Sequence, residues 1–342
     1  MAETIKIGNQ EVGGEALFFT IEEGMANLGN LDKARQMVDV AAGTGADAIE
    51  FQMVVASDLY TAGSPGHEFC LKCEFSDTQI TELVRYVKGS GLECLVAPLS
   101  HRLVEVLVAA GCSGFNINAS DINNPLIIDA VASSGIPFFL STLLATEQEI
   151  DWAVRRILQR GASRFSLLHG QHTMMSSGNG VQPAQTAIGF VTTLKERYDV
   201  PVGFIDHTPY TWMPAAAVSA GADVVTKHMA LSRADHGPDW QVCLEPEEMA
   251  DAVAWARGMR VSVKRTEKRL ADGEELDRGK MRRSIVSAKP LAAGSVIGAN
   301  DLVFKRPGSG VEPPRFTEMI GKVLLRDVEE DEQVYFADFK EE

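Results

Sequence analysis

One junction recurs along most of this chain: a helix-like stretch, then a glycine, then a short apolar strand. It occurs at "GTGADAIEFQ" (Gly45), "SGLECLVAP" (Gly91), "AAGCSGFNIN" (Gly111), "SSGIPFFLST" (Gly135), "RGASRFSLLH" (Gly161) and "SAGADVVTKH" (Gly221). Glycine suits the residue after a helix because that position takes positive φ, which a Cβ penalises. "RYDVPVGFIDH" supplies a seventh junction with Pro201 in the glycine's place, and "ALFFTIE" opens the series, which makes eight strands. The strands are near-continuous apolar runs, as expected of parallel strands covered on both faces. The segments between them, such as "LDKARQMVDVAAG", carry helical periodicity. Eight β-then-α units predict an α/β fold, a (β/α)8 TIM barrel. A doubly wound open sheet is the alternative, but no GxGxxG or Walker-type loop opens the first helix.

The pattern stops near residue 262. Residues 263–283 are highly charged and read as a linker, and residues 284–342 carry short strands and turns, a small mostly-β domain. The barrel is therefore expected over 1–262. A chain that is 45% hydrophobic and 23% charged has ample core. Its net charge of −15 argues against a nucleic-acid partner. No apolar run is long enough for a membrane span and the first residues lack a secretory pattern, so a cytoplasmic protein is expected. Five cysteines in that setting read as reduced thiols, the "CLKC" pair of Cys70 and Cys73 included.

Barrel chemistry sits where the strands end. Here those positions are Glu22; Glu50 and Gln52; Ala97; Asn116, Asn118 and Ser120; Ser141 and Thr142; His169 and His172; Asp206 and His207; Thr226 and His228. Alternation points Ile205 with His207, and Thr226 with His228, into the barrel. The chain has seven histidines. Two of them ending consecutive strands can converge on one divalent ion of the Mn, Zn, Fe or Ni type, with a carboxylate such as Glu22 or Asp206 beside them. The plainer alternative is a pair of hydrogen-bonded interior histidines. His169 and His172 are weaker candidates, and His67, His101 and His236 fall in loops or on helices.

Two sets of motifs bring a family into view. "IEEGMANLGNLDKA", "GADAIEFQ", "DHT", "KH" and "GPDWQVCLEP" in the barrel, with "RRSIVSAKPLAAGSVI" and "DLVFKRPGSG" in the tail, resemble the sialic acid (N-acetylneuraminate) synthases and spore-coat polysaccharide synthases. The tail resembles their antifreeze-like (SAF) domain. The resemblance implies a transferase that condenses phosphoenolpyruvate with an N-acyl amino sugar such as N-acetylmannosamine. It releases phosphate and forms a nonulosonic acid for sialic acid or polysaccharide biosynthesis. It implies Mn²⁺, with Mg²⁺ or Co²⁺ as substitutes, and a homodimer in which one chain's tail covers the other's barrel mouth. Carried over residue by residue, it makes His207 and His228 the metal ligands, Glu22 a catalytic carboxylate, and Gln52, Ser141, Asp239 and Arg306 substrate contacts. From the strand ends, Asp206 is added as a second catalytic carboxylate and Ser120 and His172 as further substrate contacts.

The same resemblance marks departures. Glu50 and Asn116 stand where the family has lysines, Ala97 and Ile205 where it has hydroxyl residues, and Thr226 where it has a glutamate. A glutamate in place of a phosphate-facing lysine turns attraction into repulsion. A metal-dependent aldolase or lyase that no longer uses phosphoenolpyruvate is therefore an alternative activity, and a non-catalytic carbohydrate-binding relative is a third.

Overall fold

At all six glycine junctions the backbone turns left-handed, with φ between 74° and 99°. At the seventh the turn is made by Asp199, φ 52°, which ends the helix two residues before Pro201. Asparagine and aspartate are the non-glycine residues that tolerate this conformation best. Helix starts are equally local. Asn30, Ser76, Asn124 and Thr146 each accept a backbone N–H from the first turn that follows, worth about 1 kcal/mol apiece.

The computed structural model describes residues 4–340. Strands β1 (Ile5–Ile7) and β2 (Gln10–Val12) form an antiparallel hairpin. Eight parallel strands follow: β3 (Phe18–Glu22), β4 (Ala48–Met53), β5 (Glu93–Pro98), β6 (Gly114–Ile117), β7 (Phe138–Ser141), β8 (Phe165–His169), β9 (Val202–Asp206) and β10 (Val224–His228). They close in sequence order, with β10 paired to β3, into a barrel.

The interior is apolar at one end and polar at the other. Phe18, Ala48, Leu95, Phe139 and Val224 pack inside near the strand starts, joined by Ile5, Ile7 and Val12 of the hairpin. The hairpin thus plugs the amino end. It comes so close that a Cβ on Gly114 would lie 3.0 Å from Ile7 Cδ1 and 2.7 Å from Leu95 Cδ2. The outer faces of the strands meet the helices in the main core.

The chain divides into two compact units at Arg265. In the second, β11 (Ser284–Ser287) pairs antiparallel with β12 (Leu302–Lys305). Short bridges at Leu291–Val328, Val296–Val323 and Leu324–Phe339 complete it around Ile285, Leu291, Ile297, Met319 and Phe339. The stretch expected to be a linker contains a helix, Glu274–Met281. It lacks an apolar stripe, but its first turn holds Glu274, Glu275 and Asp277 and its last Arg278 and Lys280, the charge order that favours a helix dipole. Among the described residues no helix is long and apolar enough to cross a membrane.

Candidate active site at the carboxyl ends of the strands

Because β-strand side chains alternate, the last inward residues of β3, β4, β6, β7 and β10 meet above the apolar plug. They form a cleft of about 230 Å³, lined by Glu22, Gln52, Asn116, Ser141 and His228, with His172, His207 and Asp239 from the loops. Ser120 and Asn118 also line it. A larger groove of about 720 Å³ lies outside, on the helices Leu103–Ala110 and Pro125–Ser133. It gathers no comparable set of groups.

Three histidines stand together. The His207 ring lies 4.8 Å from that of His172 and 4.8 Å from that of His228, edge to face in both cases. His207 Nε2 and His228 Nε2 are 3.2 Å apart, and Glu22 Oε2 is 3.3 Å from His228 Nε2. The other Glu22 oxygen accepts a 2.8 Å hydrogen bond from Gln52 Nε2. Burial, then the neighbouring His228, His172 and Lys227, push His207 well below the usual imidazole range; burial lowers His172 too. A neutral imidazole is the form that ligates.

Two imidazole nitrogens bound to one ion at about 2.1 Å each would sit about 3 Å apart, so the His207–His228 pair fits a divalent metal. No set of three or more His, Cys, Asp or Glu side chains arranged to hold an ion occurs among the described residues. An ion here would therefore take its remaining ligands from water or substrate, the open kind of site. His207 Nδ1 is buried without a hydrogen-bond partner.

Beneath the cleft runs a chain of hydrogen bonds. Ser141 Oγ donates to Asn116 Oδ1 (3.0 Å), and Asn116 Nδ2 donates to Glu50 Oε1 (2.8 Å). Glu50 is fully buried and its Oε2 has no partner. Burial first, then the Glu22 charge, push its carboxyl well above the ordinary range. No salt bridge to Glu50 is formed among the described residues, and Arg102 pairs with Asp58. Ala97 is buried and Ile205 lines the cleft, so neither position offers a hydroxyl. Thr226 Oγ1 and Thr20 Oγ1, on paired positions of β10 and β3, are buried without partners.

Asp206 is not brought to the cleft. It is one residue out of phase with His207 and meets Lys227, itself one residue out of phase with His228, in a fully buried ion pair of 2.9 Å. Lys227 Nζ also donates to the Thr208 carbonyl, and Asp206 Oδ1 accepts from Thr208 N at 2.8 Å. Its place is structural, between barrel and helices. His169 also turns away: its Nε2 donates to the Ala187 carbonyl at 3.1 Å and its ring packs on Phe190. Arg306 lies exposed in the second unit, at the end of β12. All five cysteines are buried free thiols. Sequence reasoning missed Leu143 and Leu144, which line the cleft from the loop after β7; as apolar loop residues they carry no chemical signal.

A barrel closed at its amino end, with titratable groups crowded at the other, has the build of a barrel enzyme. Comparison supplies the particular family. The chain belongs to the NeuB family, whose model matches residues 37–268, and a SAF domain matches 282–340. It is 27% identical to the N,N'-diacetyllegionaminic acid synthase of Campylobacter jejuni over 92% of this chain and 97% of that one. It is 26% identical to human N-acetylneuraminate-9-phosphate synthase over 94% and 93%. In structure it resembles the N-acetylneuraminic acid synthetase of Leptospira borgpetersenii, with a TM-score of 0.74 at 26% identity over 81% of this chain and 95% of that one. It is a NeuB-family nonulosonic acid synthase, an enzyme of a metal-dependent family.

Proposed function

We propose that this cleft joins an N-acyl amino sugar to a three-carbon acid, forming a nonulosonic acid with a divalent ion, Mn²⁺ foremost, held by His207 and His228. The observation that carries this reading is the facing of the two Nε2 atoms at 3.2 Å with Glu22 alongside. A bound ion would polarise the aldehyde oxygen of the open-chain sugar as a Lewis acid. The other roles fall to side chains of the chain itself. Gln52 fixes one Glu22 oxygen, leaving the carboxylate oriented to take a proton from, or return one to, the sugar oxygen. Asp239, held at φ 52° after β10, accepts from sugar hydroxyls at the rim, and Ser120, Ser141 and His172 supply further polar contacts. Asp206 and Lys227 hold the β9 and β10 ends from behind.

The same reading includes a cytoplasmic homodimer in which Arg306 of one chain reaches the barrel mouth of the other. It treats residues 284–342 as the SAF domain. Phosphoenolpyruvate is the three-carbon partner in this reading, as the family resemblance implies; the alternative is a metal-dependent aldolase or lyase that does not use it, on the ground that Glu50 and Asn116 stand where the family has lysines.

The test is Mn²⁺ titration followed by calorimetry, on the full chain and on His207→Ala and His228→Ala. One ion per chain is expected, with affinity at least tenfold weaker in either variant, and N-acetylmannosamine binding that tightens when Mn²⁺ is present. Metal binding indifferent to both substitutions would sink the reading.

A further inference from the structure

We propose that Glu50 is a positioning residue for phosphoenolpyruvate: acting through the Asn116 amide, it decides whether the Ser141 hydroxyl offers the cleft a proton or a lone pair. This rests on the reading of the cleft as the place where phosphoenolpyruvate meets the sugar.

Side chains from β4, β6 and β7 make the arrangement. Ser141 and Asn116 line the cleft, whereas Glu50 stands behind them, fully buried. Asn116 Nδ2 donates to Glu50 Oε1 at 2.8 Å, and Asn116 Oδ1 accepts the single hydroxyl proton of Ser141 at 3.0 Å. With its proton spent on Asn116, Ser141 shows the cleft lone pairs alone. Half a turn of the amide interchanges Oδ1 and Nδ2 and leaves the surrounding atoms where they are. The amide then donates to Ser141 Oγ, and the serine proton is free to point into the cleft. In exchange, Asn116 Oδ1 faces the Glu50 carboxyl and takes a proton from it.

Only a neutral carboxyl can make that second arrangement, because a carboxylate accepts and never donates. Glu50 has the surroundings of a neutral acid. Its register neighbours on β3 and β5, Glu22 and Leu95, supply no positive charge, and its Oε2 is buried without a partner. A carboxyl buried in this way keeps its proton rather than its charge. Burial, and after it the Glu22 charge, favour the protonated form.

The direction of the chain matters because of what the cleft lacks. No lysine or arginine of the same chain lines it among the described residues. Within the chain, the oxygens of phosphoenolpyruvate therefore depend on imidazoles and on neutral N–H and O–H groups. A serine that shows only lone pairs repels an anionic oxygen, and one that donates binds it. A glutamate behind the wall is thus compatible with an anionic substrate, since it acts as an acid and not as a charge.

The experiment titrates phosphoenolpyruvate calorimetrically into the full-length, Mn²⁺-loaded protein. Ser141→Ala removes the donating hydroxyl and should weaken binding about tenfold. Glu50→Met keeps the volume but offers the amide no proton, and should weaken binding to a similar degree. The double variant should bind no more weakly than Ser141→Ala, because both changes act through one hydroxyl. Glu50→Gln can donate to Asn116 Oδ1 as the acid does, and should stay within about threefold of wild type. Unchanged Mn²⁺ affinity reports that each variant is folded. Additive losses in the double variant, or no loss in Glu50→Met, reduce Glu50 to a packing residue and overturn the proposal. So does Glu50→Gln binding more than about tenfold more tightly than wild type, which would mean that a charge had been removed. That result can refute the proposal even where Glu50→Met does not fold. Phosphoenolpyruvate that binds wild type while the Glu50 variants fail these expectations removes only the role of Glu50. Phosphoenolpyruvate that does not bind wild type removes the underlying reading as well.

Discussion

Asp206 and His207 are consecutive in the chain and stand on opposite sides of the barrel wall. Their side chains therefore predict different phenotypes. Breaking the fully buried Asp206–Lys227 pair strands an ammonium away from water, which costs about 3–5 kcal/mol. Asp206→Ala should thus lower urea stability by that order while the folded fraction keeps its Mn²⁺ affinity. His207→Ala should do the reverse, leaving stability nearly intact. A catalytic Asp206 would instead retain stability and lose turnover. His169 makes a pH prediction. Burial, opposed in part by its bond to the Ala187 carbonyl, lowers its pKa from 6.5 to about 4. Between these values the unfolded chain binds the extra proton, so stability falls as pH drops from 6.5 toward 4. The loss is up to about 3 kcal/mol at 1.36 kcal/mol per unit. Urea melts at pH 7 and pH 4.5 should show a smaller drop for His169→Gln than for wild type. The inward turn of His207 and His228 was legible from strand alternation alone, whereas Asp206, expected as a catalytic carboxylate, is turned outward by that same alternation. The pairing of Asp206 with Lys227 was not legible, because it depends on the register between β9 and β10. The chain from Ser141 to Glu50 likewise spans three strands that no local pattern aligns.

Elements were easier to read than contacts because each strand of the barrel announces itself locally. Before six of the eight strands a glycine with positive φ marks where a helix ends, and the short apolar run after it marks where a strand begins. The β1–β2 hairpin escaped that logic: its strands are three residues each, and nothing in "IKIGNQEV" says it plugs a barrel. The segment after the hairpin is held by Arg260, another long-range contact. From the last turn of the helix Pro246–Val263 its guanidinium donates to the carbonyls of Gly14, Glu15 and Ala222 and to Asp223 Oδ1. One side chain thus ties the final barrel helix to the chain's beginning and to the approach to β10. Arg260→Ala should cost about 3 kcal/mol in urea unfolding, the low end for a broken buried pair. The low end applies because Lys195 remains 2.7 Å from Asp223. Arg260→Lys should recover less than half, since an ammonium cannot reproduce the planar fork. Equal stability of wild type and Arg260→Ala would show that these bonds merely replace ones made to water.

At the scale of the whole molecule the chain has two cores and one weak place between them. The barrel closes its own hydrogen bonds and leaves no open sheet edge. The second unit buries its own cluster around Ile285, Leu302 and Phe339. Between the helices ending at Val263 and beginning at Glu274 the chain is exposed and without regular structure, and it carries Lys264, Arg265, Lys268 and Arg269. Exposed backbone of this kind is where proteases cut first. Brief trypsin digestion at low enzyme ratio should therefore cleave within residues 264–269 before any barrel loop, leaving two fragments visible by mass spectrometry. The barrel fragment holds His207, His228 and Glu22, so it should bind Mn²⁺ as the intact chain does. The tail fragment, close to the size at which a single core barely suffices, should melt separately and at lower temperature. Barrel unfolding on cleavage would mean that the second unit contributes to barrel stability, and the two cores would have to be treated as one cooperative system.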